Sequence, residues 1–129
     1  MKSHVIQYEA GSWQHIHSND IQTDYVNLIL VYADRLLLEK QEMLESLQHQ
    51  YPKAKLIVCS TAGEIYQRSA TEGAATAIII GFDKTAVSVE SGEISKFKDS
   101  FELGRETATK INPEGLMYLM VISDGSLIN

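Results

Sequence analysis

Two stretches of the chain are apolar almost without interruption and have the length of a strand: "VNLILVYA" at 26–33 and "KLIVCS" at 55–60. Continuous aliphatic and β-branched runs of this size fit strands covered on both faces. Behind the first, Asp34 suits a helix N-cap, and Leu37, Leu44, Leu47 and Tyr51 recur at steps of seven, three and four, with Glu39, Lys40, Glu42 and Glu45 on other faces. This spacing predicts one amphipathic helix, stopped at Tyr51-Pro52 because proline cannot continue it and biases its predecessor toward extended geometry. Strand, helix and strand within about thirty residues is the size of a parallel crossover unit.

Further along, a polar loop spans 67–73, and "AIIIGF" and "AVSVESGEI", separated by Asp83-Lys84-Thr85, read as an antiparallel hairpin. Val87 and Val89 alternate with Ser88 and Glu90, which gives the second strand one wet face. Phe97, Phe101, Gly104, Ala108 and Ile111 follow helical steps up to Asn112-Pro113, with Gly104 allowing close approach to a sheet. "GLMYLMVISDGS" then reads as another buried strand, and the chain ends four residues after Gly125. Residues 1–24 are polar and less regular, although "HVIQY" and "SWQHIH" each suit a short edge strand. The expected fold is α/β, a mixed, mostly parallel sheet with helices packed on it and one antiparallel hairpin. A single domain over 1–129 is expected, the N-terminal part of a longer module.

Composition narrows the function. The chain has 129 residues, 44% apolar and 22% charged, so one core can form, and no segment is long and apolar enough to cross a bilayer. The net charge is -6 and the basic residues are scattered, which disfavours nucleic acid and anionic membrane surfaces. Tyr, Gln and Glu interrupt the N-terminus where a secretory signal needs an apolar region. Cys59 is the only cysteine, which fits a reducing interior, and a cytoplasmic location is expected.

The candidate chemistry sits at three strand ends, "VYADR", "VCSTAGEI" and "VISDGS". In open α/β sheets ligands bind beyond the carboxyl ends of strands, so parallel strands would bring Asp34, Ser60, Thr61, Gly63, Glu64, Ser123, Asp124 and Gly125 to one rim. Each of these residue types also caps and turns, which accounts for any one junction alone. Backbone amides from Thr61 to Glu64 would hold an anionic group if they open a helix or a nest, leaving Glu64 or Asp124 for an amino group. Ser60 lacks the flanking glycines of a nucleophile elbow, and Cys59 follows "LIV" inside a strand as a core cysteine does. His15 and His17 alternate as two metal ligands on one strand would, without further ligands, and a solvated pair is the simpler reading. Neither phosphate-binding glycine fingerprint is present, so no cofactor and no metal are expected.

"STAGEI" at 60–65, with "LILVYAD" before it and "SDG" at 123–125, resembles the N-terminal region of the FIST domain in chain order from about residue 26 to 129. The resemblance implies a sensory module of signal-transduction proteins that is not an enzyme. It implies small-molecule ligands, amino acids or related metabolites among them, and output domains such as kinases, chemoreceptors or cyclic-dinucleotide enzymes. Two alternatives stay open: an interaction or oligomerisation module, a homodimer included, and a hydrolase-like enzyme with Ser60 or Cys59 as nucleophile and Glu64 or Asp124 as acid or base.

Overall fold

The computed structural model describes residues 1–15, 21–61, 64–66, 69–71 and 74–123. The chain divides into two compact units, Met1–Val87 and Ser88–Asn129.

In the first unit the two apolar runs form β3 (Leu28–Asp34) and β4 (Lys55–Thr61), paired in parallel from Leu28 opposite Lys55 to Asp34 opposite Thr61. The crossover between them is helical as expected, but in two pieces, α1 (Arg35–Leu38) and α2 (Gln41–Gln50). Extended backbone at Lys40 separates them, and Tyr51 ends α2. At its start, β3 is fastened on both sides by Asn27. The Asn27 amide N–H donates to Ile80 and its carbonyl accepts from Lys55. Its side chain exchanges two hydrogen bonds with the Phe82 backbone, at 3.1 and 3.2 Å.

The rest of the sheet departs from the expected parallel arrangement. Its order is β2-β1-β7-β3-β4, with β1 (Lys2–Glu9), β2 (Ser12–His15) and β7 (Ala75–Gly81), and β3 with β4 is its only parallel pair. The sheet is therefore mixed and mostly antiparallel. One helical crossover supplies one parallel pair, and the remaining neighbours are joined by a hairpin or return without a covering helix. The N-terminal segment contributes an interior strand, because β1 pairs with β7 from Lys2 to Tyr8. β1 turns into β2 through Ala10 and Gly11, both with positive φ (50° and 84°), the two-residue geometry that matches strand twist.

Residues 86–93 are not a strand. Both edges of β7 already hold β1 and β3, which leaves a following hairpin strand nothing to pair with. The stretch read as a polar loop contains β6 (Ser69–Thr71), paired with β5 (Glu64–Tyr66) in a separate two-stranded ladder. Backbone pairing of so few residues needs no apolar pattern to announce it.

Pleating sorts the sheet's side chains. Burial alternates along β7, with Ala75, Ala77 and Ile79 fully buried between half-buried neighbours. These align with Ile6 of β1 and with Ile29, Val31 and Ala33 of β3, and Met43 and Leu47 of α2 with Tyr51 complete the same cluster. Burying each such large side chain is worth about 1.5–3 kcal/mol, so this face holds most of the unit's stability. The opposite face carries the apolar row Val5, Ile78, Leu30 and Ile57, all half-buried. His4 is the exception on the helix-covered side. It is 6% exposed, and neither ring nitrogen has a hydrogen-bond partner among the described residues.

The second unit contains a 3-10 turn (Ile94–Lys96) and α3 (Ser100–Thr109). The Asp99 carboxylate accepts from the Glu102 amide at 2.8 Å, and the Glu102 carboxylate accepts from the Lys98 amide at 3.0 Å. This reciprocal capping starts the helix. The predicted stripe is not its buried face: Phe101 is 80% exposed, Gly104 and Ala108 are exposed, and a side chain at Gly104 would meet nothing. Leu103 and Thr107 lie against Gly92 instead. Residues 116–123 form no strand, and Leu116 to Ile122 are exposed. An apolar run becomes a strand only beside a partner, and the described residues of this unit supply none. No helix among the described residues is long and apolar enough to cross a membrane.

Gly81 lies under the Tyr25 ring, and a Cβ there would meet ring carbons and the Tyr25 carbonyl. Gly81→Ala is expected to cost about 1–3 kcal/mol, read as a lower urea midpoint at unchanged m-value. A second expectation concerns pH. Burial, reinforced by the His15 imidazole, holds the His4 pKa below 6.5. The unfolded chain therefore takes up this proton first. Stability is full above about pH 6.5 and falls as pH drops below it. Urea midpoints at pH 7.5 and 5.5 should differ in that sense, and by less in His4→Gln.

Candidate functional site

β3 and β4 end together, with Asp34 opposite Thr61, so two of the three predicted junctions share one rim. The third does not form, because 116–123 is not a strand; Ser123 is exposed in the second unit. Gly63, Asp124 and Gly125 lie outside the described residues. Glu64 opens β5 opposite Thr71, so the backbone at Glu64 is a strand and not the start of a helix, while Ala62, like Gly63, lies outside the described residues.

The pleat divides what remains. Ser60 pairs with Ala33 on the helix-covered side and is exposed, while Asp34 and Thr61 project to the opposite face. On that face the next row across four strands is Gln7, Thr76, Tyr32 and Cys59, each beside the next in register. Below it lies the apolar row ending at Ile57. The result is a polar band of amide, hydroxyl, phenol, thiol and carboxylate where β3 and β4 end, with β5 lying against both β3 and β7. Sequence reasoning found Asp34 and Thr61 but not Tyr32, Thr76 or Gln7. The available signal was the two-residue spacing of Tyr32 and Asp34, which puts both on one face of a strand.

The Asp34 carboxylate accepts from the Leu36 amide at 2.7 Å and so caps α1, and its own amide donates to the Ala74 carbonyl at 3.1 Å. Burial raises the Cys59 pKa, which keeps the thiol protonated and poorly nucleophilic. Ser60 faces away from Cys59. The Thr76 hydroxyl is buried with no hydrogen-bond partner among the described residues. A buried hydroxyl left unpaired costs about 1–3 kcal/mol, and a ligand's polar group would recover it.

Away from the polar band, a concavity of about 340 Å³ lies between the β1–β2 turn and α2, its lining including Tyr8, Trp13, Glu42, Ser46 and Gln50. Tyr8 and Trp13 meet edge to face at 5.2 Å, and the Trp13 indole N–H donates to the Met43 carbonyl at 3.1 Å. The Ala10-Gly11 turn between two alternating runs was its only signature in the sequence. The predicted His15 and His17 pair cannot be compared, since His17 lies outside the described residues; the ring beside His15 belongs to His4, at 5.4 Å.

In comparison with known proteins, the family described as the FIST N domain matches residues 27–129. No curated protein and no solved structure matches.

Asp34 separates structure from binding. Asp34→Ala is expected to cost about 1 kcal/mol through loss of the cap, whereas Asp34→Asn keeps an acceptor oxygen and stays within a few tenths of a kcal/mol of the parent. Urea denaturation of the two variants checks this.

Proposed function

The chain belongs to the FIST N domain family, sensory modules of signal-transduction proteins, and from that premise we propose that it binds a small molecule at the polar band where β3 and β4 end. The observation that carries this reading is Thr76, whose hydroxyl is buried and unpaired in the middle of that band. Tyr32, Asp34 and Thr61 flank it along the same face. Hydroxyl and phenol groups suit a carboxylate, and the free lone pairs of Asp34 suit an ammonium, so a small zwitterion such as an amino acid is the ligand class that uses both. Binding rather than catalysis is favoured by a thiol held protonated and by Ser60 facing the other way. The occupied state is passed to an output domain such as a kinase or chemoreceptor.

A second reading, a module for protein interaction including a homodimer, draws on two features of the sheet. β4 is its last strand, with its outer edge unpaired among the described residues, and the row Val5, Ile78, Leu30 and Ile57 is apolar and only half-buried.

The test is a thermal-shift screen of the common amino acids and small dicarboxylates on the 129-residue chain. At least one should raise Tm, since a ligand at about 100 times its Kd stabilises by about 2.7 kcal/mol. Thr76→Val should be as stable as the parent or more so, because it removes an unpaired hydroxyl at similar volume, and yet lose most of that shift. No stabilising ligand, or a shift unchanged in Thr76→Val, would sink the proposed site. A concentration-dependent dimer in light scattering, with no ligand response, would favour the second reading.

A further inference from the structure

His4 and His15 lie on the side of the sheet away from the polar band and before residue 27, so neither the proposed ligand nor the family match accounts for them. His4 sits on β1 opposite Ile79, in the layer that α2 covers. Its two ring nitrogens are buried and unpaired, an arrangement that costs free energy unless something else satisfies them. The exposed His15 of β2, opposite Ile6, stands diagonally across the same face, its ring centroid 5.4 Å from that of His4 and the planes inclined by 39°.

We propose that His4 and His15 are the protein half of a binding site for a borderline-soft divalent cation of the zinc, copper and nickel class. Two imidazoles sharing a tetrahedral ion at ordinary metal–nitrogen distances have centroids roughly 5 Å apart, close to the separation seen. An ion held between the rings takes the lone pair of one His4 nitrogen, which no protein group uses. Imidazole selects these ions over magnesium and calcium, which prefer oxygen. Among the described residues no cluster of three or more His, Cys, Asp or Glu forms, so water or an added ligand fills the other positions on the exposed His15 side. The affinity is correspondingly modest, and the site is a cross-strand clasp that ties β2 to β1.

The test is a zinc chloride titration of the 129-residue chain at neutral pH, followed by calorimetry and by imidazole nitrogen NMR. One equivalent of zinc should shift ring nitrogens of both His4 and His15, with no response to magnesium. His15→Gln, at an exposed position that leaves the fold intact, should weaken binding roughly ten-fold or more. His17→Gln and His49→Gln should leave it unchanged. Zinc that shifts other histidines but not His4, binding equal in His15→Gln and the parent, or no binding by the parent would each overturn the proposal. Because the ring signals report on His4 directly, the result does not depend on whether a His4 variant folds.

Discussion

A β-strand has two hydrogen-bonding edges, and β7 uses both. It lies between β1 and β3, paired with one from Lys2 opposite Gly81 to Tyr8 opposite Ala75 and with the other from Leu28 opposite Ile80 to Ala33 opposite Ala75. Most of what distinguishes this sheet follows from that insertion. Its neighbours run antiparallel, so only β3 and β4 keep the parallel relation that their crossover imposes. A following strand cannot pair with β7, and residues 86–93 do not form one.

The same strand divides the chemistry of the first unit. Its small residues Ala75 and Ala77 let α2 and Tyr51 close over one face, and Thr76 between them points to the other. Because the side-chain period is two, adjacent residues take opposite roles: Ser60 lies on the helix-covered side, and Thr61 joins Asp34 across the sheet. Of the buried side-chain groups without a hydrogen-bond partner among the described residues, the two on the sheet follow the same division, His4 on one face and the Thr76 hydroxyl on the other, and the third is the Tyr25 hydroxyl. A domain whose net stability is only about 5–15 kcal/mol carries such groups at appreciable cost.

Strands β3 and β4, the helical region between them and their parallel pairing were legible because local pattern and tertiary role agree there. Continuous apolar runs marked the strands, and Leu47 and Tyr51 proved fully buried where the helical spacing put them. Signals failed where the outcome depended on a partner. Val87 and Val89 alternate as a strand does, but both edges of β7, the strand before them, were already taken; Phe101 and Ala108 keep helical spacing but have no layer to pack on within their unit. The break at Lys40 and the Ala10-Gly11 turn are single-residue backbone choices beneath the resolution of hydrophobic periodicity. At the rim, Asp34 and Thr61 could be read from residue type alone. Tyr32 and Thr76 could not, since their adjacency is created by register across two strands 44 residues apart in sequence.

The family match begins at residue 27, yet the sheet does not. Without β1, the edge of β7 that now pairs from Lys2 to Tyr8 would stand open, a long unpaired row of amides and carbonyls of the kind that recruits other strands. Ile6 would also leave the buried cluster that Ile79 and Ala77 share with α2. The first fifteen residues are therefore part of the fold that holds β7 in place, and through β7 they set the position of Thr76 in the polar band. A polar, weakly periodic segment can do this because pairing draws on backbone groups that every residue carries, and only alternate side chains need to be apolar.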